Sequence, residues 1–334
     1  MMTIHTKIFK NPIKIVETSS IAGKLESNGP LSKYFDIKLE DNLYGEKSWE
    51  SAEIKIINNN FKNILKKAKL KSKDIDYLIA GDLLNQNIAS SFAVKDFNIP
   101  YFGIYGACST FGEGLIIASM IISGGFARKI LVGTSSHFCS AEKQFRFPLE
   151  FGSQRTPTST WTVTGHGCAI LSNKCEKKVP EIKSITTGKI IDMGINDANN
   201  MGAAMAPAAL DTIITHLRDL NLSTDYYDLI ITGDLGHVGQ EILIKLALEK
   251  KIEFKNLNDC GILIFNRNKQ DVQAGGSGCA CSAVTFCSYL YKKIITSRFK
   301  KILLVPTGAL MNTISIQQNQ TIPAIAHAIS VEFN

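Results

Sequence analysis

The sequence predicts an α/β protein built from two related halves, each with a mainly parallel sheet. Three observations carry this. First, short apolar runs of strand length, such as residues 75–80, end in Gly-Asp and alternate with longer segments of helical periodicity. Second, Asp76-Tyr77-Leu78-Ile79-Ala80-Gly81-Asp82-Leu83 returns later as Asp228-Leu229-Ile230-Ile231-Thr232-Gly233-Asp234-Leu235. Third, Ala107-Cys108-Ser109 returns as Ala280-Cys281-Ser282, and Lys129-Ile130-Leu131-Val132-Gly133-Thr134 as Lys301-Ile302-Leu303-Leu304-Val305-Pro306-Thr307. The order is the same in both halves, and each lysine follows its cysteine at nearly the same distance. The unit is far longer than a solenoid repeat. Strands alternating with helices give parallel sheets whose ligand-facing turns lie at the strands' carboxyl ends. Asp82, Cys108, Asp234 and Cys281 are therefore expected on such turns, and a pseudo-two-fold would bring them toward one cleft.

Taken in order, residues 13–16 are a candidate first strand, and residues 23–47 are a polar connection. Residues 49–67 space Ile54, Ile57, Phe61, Ile64 and Leu65 along one helix face. Strand 75–80, helix 89–97 and strand 100–104 then deliver the chain to Tyr105-Gly106-Ala107-Cys108-Ser109-Thr110-Phe111-Gly112-Glu113-Gly114. An apolar, small-residue helix over 115–125 and a buried strand over 129–135 follow. A cysteine at the first turn of a helix faces unpaired N–H groups and the positive end of the dipole. That environment is expected to lower the thiol pKa and to suit a nucleophile or an anion site.

Residues 136–162 hold Phe138, Phe145, Phe147, Phe151 and Trp161 with Lys143, Arg146 and Arg155, and read as an insertion or lid. Residues 163–171 are a glycine turn feeding a buried strand, and 173–180 is the domain boundary, which divides the chain into residues 1–175 and 176–334. In the second half Pro207 fits the first turn of a helix, with Met201 and Met205 either lining a pocket or packing in the core. A terminal apolar strand over 322–331 carries His327.

With 334 residues the chain is long enough for two domains with real cores. The net charge of +7 is modest, and its densest cluster, Lys62, Lys66, Lys67, Lys69, Lys71 and Lys73, lacks interleaved aromatics. This argues against nucleic acid and leaves a solvated helix end or a surface for anionic membranes and small anions. Eight cysteines at irregular spacing indicate reduced thiols in an intracellular compartment. Cys279-Ala280-Cys281, with Cys260 and Cys287 nearest, has no Cys-x-x-Cys or histidine partner, so no metal site is expected. Residues 1–10 have no apolar core of signal-peptide length, and the longest apolar run, residues 115–122, is far too short to span a bilayer.

The duplicated β-α-β-α-β-α-β-β pattern, with a cysteine opening a buried helix of the first half, resembles the thiolase fold, a layered α-β-α-β-α arrangement. Cys108 falls where ketoacyl synthases and thiolases carry their acyl-accepting nucleophile. A closer likeness runs along nearly the whole chain. Ala80-Gly81-Asp82-Leu83-Leu84-Asn85-Gln86-Asn87, Gly106-Ala107-Cys108-Ser109-Thr110, Thr134-Ser135-Ser136-His137, Ala141-Glu142-Lys143-Gln144-Phe145-Arg146, Met201-Gly202-Ala203-Ala204-Met205-Ala206-Pro207-Ala208-Ala209, Asn258-Asp259-Cys260-Gly261 and Ala274-Gly275-Gly276-Ser277-Gly278-Cys279-Ala280-Cys281-Ser282-Ala283 are similar to the stage V sporulation protein AD family. The resemblance implies binding of dipicolinic acid and membership of the spore membrane assembly that moves dipicolinate. It also implies a peripheral place on the forespore or spore inner membrane, other subunits of that assembly as partners, and a homodimer.

Condensing chemistry needs imidazole or amide groups from the second half to hold a thioester oxygen and manage a proton. Alignment with the ketoacyl synthases puts Asp234 in the histidine's place, and a carboxylate there repels a developing oxyanion. The glycine-rich loop that resembles the thiolase Gly-His-Pro loop contains no histidine, and the asparagine of ketoacyl synthases is missing. His237 reaches the cleft only if its turn is rearranged, and His327 reads as a core or interface histidine. The expectation is therefore a non-enzymatic binder without a resident cofactor. The alternative is an active condensing enzyme of ketoacyl-synthase or thiolase type that uses Cys108. The ligand-binding candidates are Cys108, Asp82, His137, Asp234, Gly276 and Ser277, with Arg146 and Arg155 as lid contacts to an anion or parts of a dimer interface. Asp82 and Asp234 serve either as turn and capping residues or as ligands to a Ca²⁺ that bridges to the ligand's carboxylates.

Overall fold

The computed structural model of the chain describes residues 5–145 and 155–333. In chain order the principal strands of the first half are β1 (Thr6–Ala22), β2 (Tyr77–Gly81), β3 (Tyr101–Gly103), β4 (Lys129–Ser136) and β5 (Gly165–Ser172). Those of the second are β6 (Glu181–Thr186), β7 (Leu229–Thr232), β8 (Leu257–Asp259), β9 (Lys301–Val305) and β10 (Ala328–Glu332). They hydrogen-bond in the order β8-β7-β9-β10-β6-β1-β5-β4-β2-β3, with a two-residue strand, Ile37–Lys38, beside the end of β1. Read outward from the middle, each half has its first strand, then its fifth, fourth, second and third. The two first strands pair antiparallel. The duplication read in the sequence is thus the topology of the sheet.

One register row explains how the halves are stacked. Lys129 pairs with Ser172, Ser172 with Lys14, Lys14 with Glu181, Glu181 with Glu332, and Glu332 with Lys301. From this row the first half extends along one end of β1 and the second along the other. The helix Thr110–Ser123 packs on β2, β4 and also on β10 of the other half. The helix Cys279–Thr285 comes from the second half and packs on β1, β4 and β5 of the first. The sheet therefore bends at the row and encloses both helices. Trp49–Ala68 covers the outer face of the first half, and Met201–Asp219 covers that of the second. The result is the α-β-α-β-α layering of the thiolase fold. Amino ends of the parallel strands lie at the bend, and their carboxyl ends meet at the opposite face.

Core formation follows from composition. The central helix Thr110–Ser123 buries Phe111, Leu115, Ala118 and Ile122, and it is apolar on nearly all sides because it has a sheet on each. Phe111 meets Phe286 of the other half with ring centroids 5.9 Å apart. The amphipathic Trp49–Ala68 helix starts at Ser48, whose side chain accepts from the Ser51 N–H, and stops at Lys69 in the left-handed region.

Several boundaries differ from expectation. β1 extends from Thr6 to Ala22, because its two ends pair with different halves. Pro207 lies inside the Met201–Asp219 helix rather than in its first turn. The terminal strand divides at His327 into Ala324–Ala326 and β10.

Candidate ligand-binding cleft

Cys108 sits on a turn whose backbone is fixed from several sides. Ala107 before it has φ of 50°, in the left-handed region that costs a side-chain-bearing residue about 1 kcal/mol. Its carbonyl accepts from the Thr110 hydroxyl and, at 3.0 Å, from the Cys279 thiol of the second half. The Gly106 carbonyl accepts from the Ser109 hydroxyl at 2.6 Å, and the Gly106 N–H donates to the Thr110 hydroxyl at 3.0 Å. These bonds hold a backbone that alone would relax, which is a common way of presenting a side chain at a site.

The thiol is 7% exposed and looks toward the second half. Facing it are the Asp234 carboxyl and the Gly278 N–H. Gly278 has φ of 100°, and a Cβ there would lie 2.7 Å from the Ser136 hydroxyl oxygen, so glycine is needed to bring this N–H up to the thiol. Asp234 is held by the Thr307 hydroxyl on one oxygen. Its other oxygen, Oδ2, has no hydrogen-bond partner among the described residues. Burial raises the Asp234 pKa from 3.8 to about 7, so the carboxyl is partly protonated at neutral pH. The turn that carries it is ordered by Asp259, which accepts from the N–H groups of Leu235 at 2.9 Å and Gly236 at 3.0 Å.

The same surroundings correct the expectation for the thiol. Burial first, then the Asp234 carboxylate, pushes the Cys108 pKa well above its ordinary value. The helix dipole is overruled, and Cys108 is a neutral thiol.

A narrow cavity of about 40 Å³ opens above this pair, between the two halves. The first half contributes Leu83, Asn85, Tyr105, Cys108, Gln144 and Thr162. The second half contributes Met201, Ser277, Gly278, Ala309, Met311 and Asn312. Outward it continues into a wider mouth that shares Leu83, Asn85, Tyr105, Met311 and Asn312. The walls thus combine apolar surface with carboxamide and hydroxyl groups. Among the described residues that line it there is no histidine, lysine or arginine.

Of the sequence candidates, Cys108 and Ser277 line this cavity with Met201, and Asp234 is buried behind it against Cys108. Gly276 adjoins this group in a two-residue strand, Gly276–Ser277, paired with Trp161–Thr162. Asp82 is fully buried and committed elsewhere: it accepts from the Leu84 N–H at 2.9 Å and the Ser90 N–H at 2.8 Å, as a turn clasp. His137 is also buried off the cleft, with Nε2 donating to the Asn42 carbonyl at 2.7 Å and Nδ1 accepting from the Cys139 N–H. Arg155 is committed locally: its guanidinium lies over the Phe138 and Trp161 rings, which stack 3.7 Å apart, and it pairs with Glu142 at 3.7 Å. Arg146 lies outside the described residues. His237 and His327 do not line the cleft, and the His327 Nδ1 accepts from the Gly188 N–H. His166 is a core histidine against Phe61 and Asn60. All eight cysteines are free thiols. Among the described residues no group of three or more His, Cys, Asp or Glu is arranged to hold a metal ion. The sequence reading missed Asn85, Tyr105, Gln144 and Asn312 as wall residues. Their side chains are ordinary polar groups on turns, a loop and a short helix, and only the closing of the two halves brings them together.

Solved structures similar to this one share the fold at low identity. The 3-oxoacyl-[acyl-carrier-protein] synthase III of Aquifex aeolicus has a TM-score of 0.57 and 15% identity, over 96% of this chain and 100% of that one. Cerulenin-bound OleA of Xanthomonas campestris has a TM-score of 0.61 and 13% identity, over 98% of each chain. Identity this low establishes the thiolase-type fold and nothing about chemistry. The sequence comparisons go further. Stage V sporulation protein AD of Bacillus subtilis (strain 168) is 43% identical over 332 residues, covering 98% of this chain and 96% of that protein. The family model for stage V sporulation protein AD matches residues 3–332. With both comparisons spanning nearly its whole length, the chain belongs to the stage V sporulation protein AD family, a family of sporulation proteins.

Proposed function

We propose that the chain binds dipicolinic acid in the cleft above Cys108, without catalysis, as a peripheral subunit of a spore membrane assembly that moves dipicolinate. One observation carries this reading. Where a condensing enzyme needs a base or an oxyanion donor, this cleft presents a buried carboxyl, Asp234, against a neutral thiol. A carboxylate there opposes an enolate or oxyanion and disfavours thiolate formation. The same carboxyl, when protonated, donates a hydrogen bond to a ligand carboxylate. Dipicolinate is a flat ring with two carboxylates. Such a ligand suits a slot with thiol, methionine and leucine on its faces and carboxamide, hydroxyl and backbone N–H donors at its edges. With no lysine or arginine among the described residues that line it, the cleft takes the anion through neutral donors or as its Ca²⁺ chelate.

Calorimetric titration with dipicolinate, with and without Ca²⁺, tests the reading. Isophthalate, which keeps both carboxylates and lacks the ring nitrogen, is the control. The expected result is saturable binding that Cys108→Trp abolishes in a folded protein. No binding under either condition would overturn it.

The fold shared with acyl-carrier-protein synthases and the cysteine at the helix start support a second reading, a condensing enzyme acylated on Cys108. Incubation with acetyl-CoA and malonyl-CoA followed by intact-mass analysis tests it. An acyl adduct that Cys108→Ala removes would favour the enzyme.

A further inference from the structure

We propose that the face opposite the cleft is a docking surface for an anionic lipid bilayer. The register row at the bend places the loop before β4 and the loop before β9 on this face. These loops are copies of each other in the duplication, and both have an exposed apolar side chain, in the loop or at the end of the helix before it, next to cations. In the first, Phe126 is 78% exposed and is followed by Arg128 and Lys129. Before the second, Ile295 closes the helix Tyr291–Ile295 and is 43% exposed, and it is followed by Arg298, Lys300 and Lys301. Beside them the end of the Trp49–Ala68 helix forms a groove with Leu65, Leu70 and Phe97 as floor and Lys62, Lys66 and Lys71 on its rim.

Charge complementarity identifies the occupant. Of the carboxylates at the bend, Glu181 is ion-paired with Lys14 and Lys183, Glu332 accepts from the Tyr226 hydroxyl, and three more are turned into the backbone. Asp74 accepts from the Lys71 N–H, Asp76 from the N–H groups of Arg128 and Lys129, and Asp228 from those of Lys300 and Lys301. The exposed Asp96 and Glu176 leave an excess of cations. Cations dispersed over both halves, with a solvent-exposed phenylalanine among them, suit a plane of headgroups. A protein partner is instead gripped by a compact, well-packed cluster. No described helix is long and apolar enough to cross a membrane, so attachment through this face would be at the surface. Docked this way, the cleft points away from the lipid. The inference does not rest on what the cleft binds.

Vesicle flotation of the full chain tests it, with vesicles of phosphatidylcholine and phosphatidylglycerol in equal parts against phosphatidylcholine alone. The protein is expected to float with the anionic vesicles only, and less as salt rises. Arg128→Glu with Lys300→Glu should lower the bound fraction about tenfold or more. Phe126→Ser should lower it without a change of charge, while Lys24→Glu, on the cleft side, should leave it unchanged. Equal binding to neutral vesicles, or an equal loss with Lys24→Glu, overturns the proposal. So does absence from both vesicles, including the case in which the same lysines capture polyglutamate, which would make the partner an acidic protein. Dipicolinate titration of the face variants separates this result from the cleft's, because ligand binding should not change.

Discussion

Asp82 and Asp234 hold the same place in the two halves, directly after the glycine that ends an inner strand, and they do different work. Asp82 has its oxygens occupied by the N–H groups of Leu84 and Ser90 and is sealed off from the cleft. Asp234 gives one oxygen to Thr307 and leaves the other unpaired against Cys108. The cysteines diverge in the same way: Cys108 borders the cavity, whereas Cys281 is fully buried in the shared core. Away from the cleft the copies still agree. Asp76 holds the two N–H groups that open β4, and Asp228 holds the two that open β9. The duplicated chain kept its scaffold bonds in both halves and specialised only where the halves meet. An aspartate's role is therefore set by whether neighbouring N–H groups satisfy it.

The strongest break of this comparison is at the cysteines. Cys108→Trp puts an indole into the cavity and is expected to weaken dipicolinate binding at least about a hundredfold, some 2.7 kcal/mol. Cys281→Ala touches only the core and should leave the dissociation constant within about twofold while costing about 1 kcal/mol of stability. Calorimetry and thermal melts read both. Equal binding losses in the two variants would mean that the cleft is not the site.

The aspartates come next. Asp82→Ala strands two buried N–H groups and is expected to cost about 2–3 kcal/mol in denaturant melts, with ligand affinity retained in the folded fraction. Asp234→Asn should fold and bind, because the carboxamide donates the hydrogen bond that the protonated acid gives.

The pH dependence of the wild type sharpens the contrast. Asp234 is raised from 3.8 to about 7, and only its protonated form donates to a ligand carboxylate. Affinity should therefore hold below about 7 and fall by up to about tenfold per pH unit above it. Asp234→Asn should flatten that slope. The sign for stability is the same: a carboxyl raised on folding contributes fully below its unfolded pKa and loses that contribution as pH rises through its folded one. Glu26, raised to about 7, and Glu53, raised to about 8, act in the same direction, so melting temperature should decline from about pH 6 to pH 9. Titrating melts of wild type and Glu53→Gln would measure this, and a melting temperature that rises over the interval would contradict it.

How much of this was legible in the sequence follows from which interactions are local. The repeats at Asp76 to Leu83 and Asp228 to Leu235 were readable because a strand, a glycine and a cap are fixed by neighbours in the chain. The pairing of Cys108 with Asp234 was readable only as far as the duplication implied a shared cleft. What lay beyond reach was solvation. Nothing in the run Gly106 to Thr110 shows that the second half will close over the thiol, so a dipole argument predicted a lowered pKa where burial raises it. His137 and Arg155 misled for the same reason. An imidazole or a guanidinium looks like an anion contact until the structure shows a carbonyl, a carboxylate or a ring already in place.

The smallest expected effect tests the scaffold itself. Asp76 and Asp228 each accept from two backbone N–H groups at the bend, far from the cleft. Replacing either by alanine leaves those groups to water, since they lie at an exposed edge, so the cost should be about 1 kcal/mol rather than the larger penalty of a buried orphan. If the halves are equivalent as scaffolds, Asp76→Ala and Asp228→Ala should cost the same within about half a kcal/mol and add in the double variant, because the two sites share no partner. An unequal pair would mean that one half carries more of the stability. A double variant that loses more than the sum would mean that the bend, where both sets of strands begin, is a single cooperative unit rather than two copies laid side by side.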